Sequence, residues 1–181
     1  MTRVVIAHGF AATSKLFWVP WLAQELTSRG FTVVLVDFPE PFHPTKDRWV
    51  STLREAIGYS SDTILVAHSL GCNAALHLVQ EDQCDIPKFV AVAPFLLNKY
   101  GNLFESFYEA PFDGEYLRKH IGACIVLHDP RDPWAPFGGA KFLRAACGAT
   151  LIECKGRGHF NTLDPRKPMP EILDAVLRLS T

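Results

Sequence analysis

The chain has 181 residues, of which 48% are apolar and 20% charged, with 18 basic and 19 acidic residues well mixed for a net charge of −1. That composition describes a folded globular chain and excludes extended disorder, and the absence of a basic stripe gives no expectation of a nucleic-acid partner. Met1 leads straight into a strand-like run, with no leader pattern, and no apolar run approaches the ~20 residues that a membrane span requires, so a cytoplasmic protein with no membrane span is expected.

In chain order, short apolar runs rich in β-branched residues alternate with helical patterns. Val4–Ala7 reads as the first strand. Phe17–Ser28 follows as a helix, with Trp18, Trp21, Leu22 and Leu26 at three- and four-residue spacing and Gly30 as the stop. Thr32–Val36 is the second strand, and Lys46–Ile57 repeats the helical rhythm through Trp49, Val50, Leu53 and Ile57. Thr63–Ala67 is the third strand, and Gly71–Val79 is a helix whose Ala74 and Ala75 suit close packing on a sheet. Strands at Phe89–Ala93, Ala123–Leu127 and Thr150–Cys154 and helices at Gly138–Ala146 and Glu171–Leu179 complete the pattern.

Several of these strands are continuously apolar rather than alternating, which is the mark of parallel strands covered on both faces. The expectation is a single α/β domain spanning 1–181. It is a three-layer sandwich with a mostly parallel six-stranded sheet and helices on both faces. One segment, Leu96–Lys119, is longer than a simple crossover needs and rich in aromatics. It is read either as a short cap over a site at the strand ends or as a surface excursion with one irregular helix. The five cysteines (72, 84, 124, 147 and 154) are odd in number and form no C-x-x-C pair, so they are expected to be reduced and mostly buried.

In open α/β sheets, sites form beyond the carboxyl ends of the strands, so the residues just after each strand matter most. After the third strand the sequence AHSLG approximates the nucleophile elbow G-x-S-x-G, with Ala67 in place of the first glycine. A serine hydroxyl is a poor nucleophile until a base takes its proton, and a tight strand-to-helix turn lifts it clear of the backbone. The turn needs small neighbours, which Ala67 and Gly71 supply; the plainer reading is that Ser69 only caps a helix. Asp132 follows the fifth strand and His159 the sixth, so serine, acid and histidine come in the chain order of an α/β-hydrolase triad.

Taken together, the chain resembles the α/β-hydrolase superfamily, and within it the small serine hydrolases typified by the retinoblastoma-binding serine hydrolase and its bacterial relatives. The resemblance runs through HGFAATSKLFWVPWL (8–22), HSLGCNAAL (68–76), DPWAPF (132–137) and GHFN (158–161). It implies Ser69 as nucleophile, Asp132 as acid and His159 as base, with the backbone N–H groups of Phe10 and Leu70 as the oxyanion hole and no metal or other cofactor. Asp129 is a rival acid, but the D-x-x-x-P spacing of Asp132 and Pro136 matches the family loop; Asp37 is expected to be structural.

His8, His68 and His128 also follow strand ends, but their spacings match no metal pattern. His8 is expected to brace the loop after the first strand, and His68 to point away from Ser69. Trp18, Phe95 and Trp134 are candidate walls of a substrate pocket, against the usual reading of such residues as core. The expected activity is hydrolysis of small or short-chain acyl esters. Thioester or aminoacyl amide cleavage and a non-catalytic interaction role are the alternatives. The oligomeric state is not readable.

Overall fold

The computed structural model describes residues 2–58, 60–164 and 167–181. Six strands form one parallel sheet: β1 Arg3–Ala7, β2 Thr32–Val36, β3 Thr63–His68, β4 Ile86–Val92, β5 Ile121–His128 and β6 Thr150–Glu153, in the order β2-β1-β3-β4-β5-β6. The helices are α1 Val19–Ser28, α2 Lys46–Ile57, α3 Leu70–Asp82, α4 Gly114–His120, α5 Phe137–Cys147 and α6 Pro170–Ser180, with a 3₁₀ helix at Gly101–Phe107. The expected fold class is therefore the observed one.

The strand order explains the layering. Right-handed crossovers place a helix on one face when the chain steps one way across the sheet and on the other face when it steps back. The step from β1 to β2 carries α1, and the later steps run the other way. Accordingly, Val4, Ile6, Ile64, Val66, Val90 and Val92 pack with α1 and α6 residues such as Leu22, Leu26 and Ile172. The alternate residues Val5, Ala7, Leu65, Ala67, Phe89 and Ala91 pack with Leu53, Leu76, Leu117 and Leu143 from α2, α3, α4 and α5. Every residue of central β3 is buried, whereas edge strand β2 leaves Leu35 exposed.

Most element boundaries differ from expectation by a few residues, and two of these differences have clear local reasons. Helix α1 starts at Val19 rather than Phe17, because Phe17 has φ 58° and ends a loop instead of opening a helix. Strand β4 stops at Val92, since Ala93 turns with φ 46°. The long Leu96–Lys119 segment divides between its two readings. Its first half, with the 3₁₀ helix, lies at the carboxyl edge of the sheet. Its second half is α4, capped by Asp113 accepting from the N–H groups of Glu115 and Tyr116 and anchored by fully buried Leu117. Among the described residues no helix is long and apolar enough to cross a membrane.

Candidate active site

The sheet order reverses between β1 and β3, and that switch point is where an open α/β sheet leaves a crevice. Ser69 sits there, on the corner between β3 and α3, with φ 53° and ψ −119°. Two glycines permit the corner. A Cβ on Gly71 would lie 2.4 Å from the His8 carbonyl oxygen, and one on Gly9 would lie 2.7 Å from Ser69 Cβ. Both glycines are thus needed for close approach between the corner and the loop after β1. Ala67, the departure from the elbow pattern, is buried in the sheet and accommodated without exposure. The Ser69 side chain makes no capping bond to α3, so the capping reading is not the one observed.

His159, in the loop after β6, places Nε2 2.9 Å from Ser69 Oγ and Nδ1 2.7 Å from Asp132 Oδ2. A carboxylate only accepts, so Nδ1 carries the proton, and the neutral ring presents a bare Nε2 to the serine hydroxyl. The other oxygen of Asp132 accepts from the N–H groups of Trp134 (2.8 Å) and Ala135 (3.0 Å). Burial works against the charge on Asp132, but the bond from His159 and those two N–H groups hold its carboxyl below the usual range. An arrangement of this kind can move a proton from the serine to the imidazole while the carboxylate steadies the cation formed.

Asp129 does not touch His159. Its Oδ1 accepts from Arg131 N–H (2.9 Å) and its Oδ2 from Gly158 N–H (2.8 Å), so it ties the loop after β5 to the loop after β6. Asp37 accepts from Ser14 N–H and Ser14 Oγ–H at 2.6 and 2.8 Å, bracing the loop after β1 as a structural residue.

The three strand-end histidines hold separate bonds rather than sharing a centre. His8 accepts from Phe38 N–H through Nε2 (2.9 Å) and donates to the Gly9 carbonyl through Nδ1 (2.8 Å). His68 Nε2–H donates to the His159 carbonyl (2.8 Å), and His128 Nε2–H to the Ala135 carbonyl (3.2 Å). Burial lowers the pKa of all three. The five thiols are free, and burial raises the pKa of each, to about 11 for Cys84, Cys147 and Cys154. None is poised as a nucleophile.

A cavity of about 320 Å³ opens at Ser69 and His159. Phe10, Ala11 and Phe17 line it from the loop after β1, and Leu70 from the start of α3. Phe95, Tyr100, Leu103 and Phe104 line it from the segment after β4, with Trp134 and Asn161 completing the wall. Phe95 and Trp134 thus lie where the sequence suggests, but Trp18 does not. It is fully buried in the core beneath α1, edge-on to His68, because the φ 58° turn at Phe17 sends Phe17 to the cavity and Trp18 into the sheet. The first half of the Leu96–Lys119 segment is fastened over the site. Lys99 Nζ donates to the Pro133 carbonyl (2.7 Å), Tyr100 Oη to the Trp134 carbonyl (3.4 Å), and the Phe10 and Phe104 rings meet edge to face at 5.0 Å.

Sequence patterning does not single out Tyr100, Leu103, Phe104 or Asn161 for the cavity, nor Ala11 and Phe17. The clustering of aromatics after β4 was the available signal for the first three, and Asn161 stands inside the GHFN motif.

Known proteins resemble this chain along nearly its whole length. YdeN of Bacillus subtilis (strain 168) is 28% identical over 178 residues, covering 96% of this chain and 94% of its own. The crystal structure of the ydeN gene product superposes with a TM-score of 0.90 at 27% identity, over 99% and 98% of the two chains. The serine hydrolase RBBP9 of Rattus norvegicus is 20% identical over 89% of this chain and 87% of its own. Est1E of Butyrivibrio proteoclasticus, solved with ferulic acid bound, shares the fold at a TM-score of 0.76 and 13% identity, over 99% and 89% of the chains. Residues 4–178 match the model of the serine hydrolase family, and the chain belongs to that family, built on the α/β-hydrolase fold.

Proposed function

We propose that the protein is a carboxylesterase acting on small, uncharged acyl esters through an acyl-enzyme on Ser69. The observation that carries this reading is the unbroken chain from Asp132 through His159 to Ser69, ending at the wall of an apolar cavity. Ser69 Oγ attacks the ester carbonyl carbon as its proton passes to His159 Nε2. The imidazolium is stabilised by Asp132 and then gives that proton to the departing alcohol oxygen. Water, deprotonated by the same imidazole, releases the acid and restores Ser69. Each step balances with groups of this chain and water, so no cofactor is called for.

The developing oxyanion is met by the N–H of Leu70 and the N–H of Phe10. Both residues line the cavity beside Ser69, and Leu70 opens α3, where helix N–H groups point outward and favour negative charge. Among the described residues the cavity wall carries no Asp, Glu, Lys or Arg side chain, and half of its residues are Phe, Tyr or Trp, which favours a neutral acyl group. Wall residues Leu103 and Trp134 are exposed, and exposed Phe42 meets the Phe10 ring at 6.4 Å, in keeping with an apolar substrate. Free thiols suit a reducing compartment, and we place the activity in the cytoplasm.

Ser69→Ala tests the reading. It should lose several orders of magnitude in kcat towards p-nitrophenyl butyrate, and all labelling by a fluorophosphonate, with an unchanged melting curve. A folded variant that keeps most of its esterase activity removes Ser69 from the chemistry. An unlabelled wild-type Ser69 favours an interaction role for the fold.

A further inference from the structure

The base, His159, stands in a loop whose backbone is unusual. Phe160, the next residue, has φ 55°, a left-handed conformation that a bulky side chain rarely adopts. The peptide between them is therefore turned, and its carbonyl oxygen faces inward, towards the end of β3. There it meets His68, the residue immediately before Ser69. His68 alternates with Val66 and Ile64 along β3, so its ring points to the α1 face, away from the serine hydroxyl. It is 3% exposed and held between the edges of Phe17 (6.1 Å) and Trp18 (5.9 Å).

A carbonyl oxygen only accepts, so at 2.8 Å the His68 Nε2 must carry the hydrogen. The His68 ring lies 4.9 Å from that of His159, and burial, reinforced by this neighbour, pushes its pKa to about 3. It is a neutral donor with one fixed direction. On the other side of His159, Gly158 N–H is held by Asp129. The backbone of the base is thus gripped on both flanks, and the grip on its carbonyl comes from the residue bonded to the nucleophile itself.

We propose that His68 is a positioning residue: its Nε2–H fixes the His159 main-chain carbonyl to the Ser69 corner, and so sets the separation between His159 Nε2 and Ser69 Oγ. This rests on the reading of Ser69 as nucleophile and His159 as base. The role needs a donor at the distance of Nε2 and is indifferent to the substrate. Of the two other strand-end histidines, His128 repeats the device on the Ala135 carbonyl after β5, whereas His8 Nε2 works as an acceptor for Phe38 N–H after β2.

The test compares His68→Gln, His68→Asn and His68→Leu in the full chain. The glutamine amide nitrogen reaches the place of imidazole Nε2, whereas the asparagine nitrogen reaches only that of Nδ1. His68→Gln should keep kcat within about 3-fold of the parent. His68→Asn and His68→Leu should lose about 10- to 100-fold in kcat, with KM within about 2-fold, because a misplaced base slows proton transfer without changing the cavity. The rate of fluorophosphonate labelling of Ser69 should fall in parallel. If His68→Leu does not fold, the Gln and Asn pair, both polar and close in size, decides the matter. Equal kcat in all variants, equal losses in Gln and Asn, or a change confined to KM would overturn the proposal. Ser69→Ala in the same assay separates the two readings. An active Ser69→Ala defeats the nucleophile assignment, whereas an inactive one beside unaffected His68 variants defeats only the positioning role.

Discussion

Replacing each of the two neighbouring aspartates by asparagine should produce opposite signatures. At position 132 the carboxylate accepts two loop N–H bonds on Oδ1 and the His159 Nδ1–H bond on Oδ2. An asparagine keeps its amide oxygen on the two backbone donors, which leaves its NH₂ facing His159. Nδ1 must then accept, the ring proton moves to Nε2, and the base has no lone pair for Ser69. The expected loss is roughly 10⁴ in kcat, the scale associated with this tautomer error. The fold should be little affected, because both loop bonds persist. At position 129 both carboxylate oxygens accept backbone N–H bonds, from Arg131 and Gly158. An amide in either orientation sets a donor against a donor in a site only 2% exposed. One buried N–H is orphaned at a cost of about 1–3 kcal/mol. For a chain of this size that lowers Tm by roughly 3–10 °C, while kcat falls by at most about tenfold through a shifted histidine loop. Thermal melts and kcat towards p-nitrophenyl butyrate, measured on both variants, decide the matter. The reverse ranking, with Asp129→Asn inactive and Asp132→Asn merely less stable, would refute the assignment.

Acid should destabilise the fold well above the carboxylate range. His8, His68, His77 and His128 all have pKa values lowered chiefly by burial, to about 3 for His68. The unfolded chain takes up these protons near pH ~6.5 and the native state does not, so stability is intact above that pH and falls towards pH ~3, by roughly 5 kcal/mol from His68 alone. Urea midpoints that stay flat between pH 7.5 and 4.5 would contradict this. In the substrate series, kcat/KM for p-nitrophenyl esters should rise over the first few acyl carbons, at up to ~0.8 kcal/mol per methylene, and then fall as the cavity fills. A continuous rise to palmitate would mean that the segment after β4 opens as a lid.

The sheet was readable because its central strands are continuously apolar and bounded by turn residues. Thr63–Ala67 could hardly be anything else, and the structure extends it by one residue. The serine corner was readable for the same local reason, since Ser69 and Gly71 stand where a strand pattern gives way to a helix pattern. Trp18 shows the limit. Its spacing with Trp21 and Leu22 already marked it as a member of the apolar stripe of α1, but proximity in sequence to the loop after β1 argued for the cavity. What separates Phe17 from Trp18 is a single positive φ, which no residue type at that position announces. The histidines show a second limit. All three are visible at strand ends, yet their partners lie 30, 91 and 7 residues away, and only the folded sheet brings them together.

The strain in the backbone follows the same geography. Among the described residues, the non-glycine positions with positive φ are Ala11, Phe17, Glu40, Ser69, Gln83, Ala93 and Phe160. All but Gln83 lie in loops that follow the carboxyl ends of strands. Each such conformation costs about 1–3 kcal/mol and survives only where its surroundings over-determine it. Here the surroundings are main-chain bonds between loops: Ser69 N–H to the Val92 carbonyl, Phe95 N–H to the Ser69 carbonyl, Ala93 N–H to Leu127 and Ala11 N–H to Pro41. The doubly covered sheet supplies the stability that offsets this cost, and among the described residues its opposite end carries only one such position, Gln83. It follows that changes to these inter-loop bonds should register first in the distances around Ser69 and only later in the fold. That ordering is what lets one edge of a rigid sheet hold a reactive geometry which the residues of that edge would not adopt on their own.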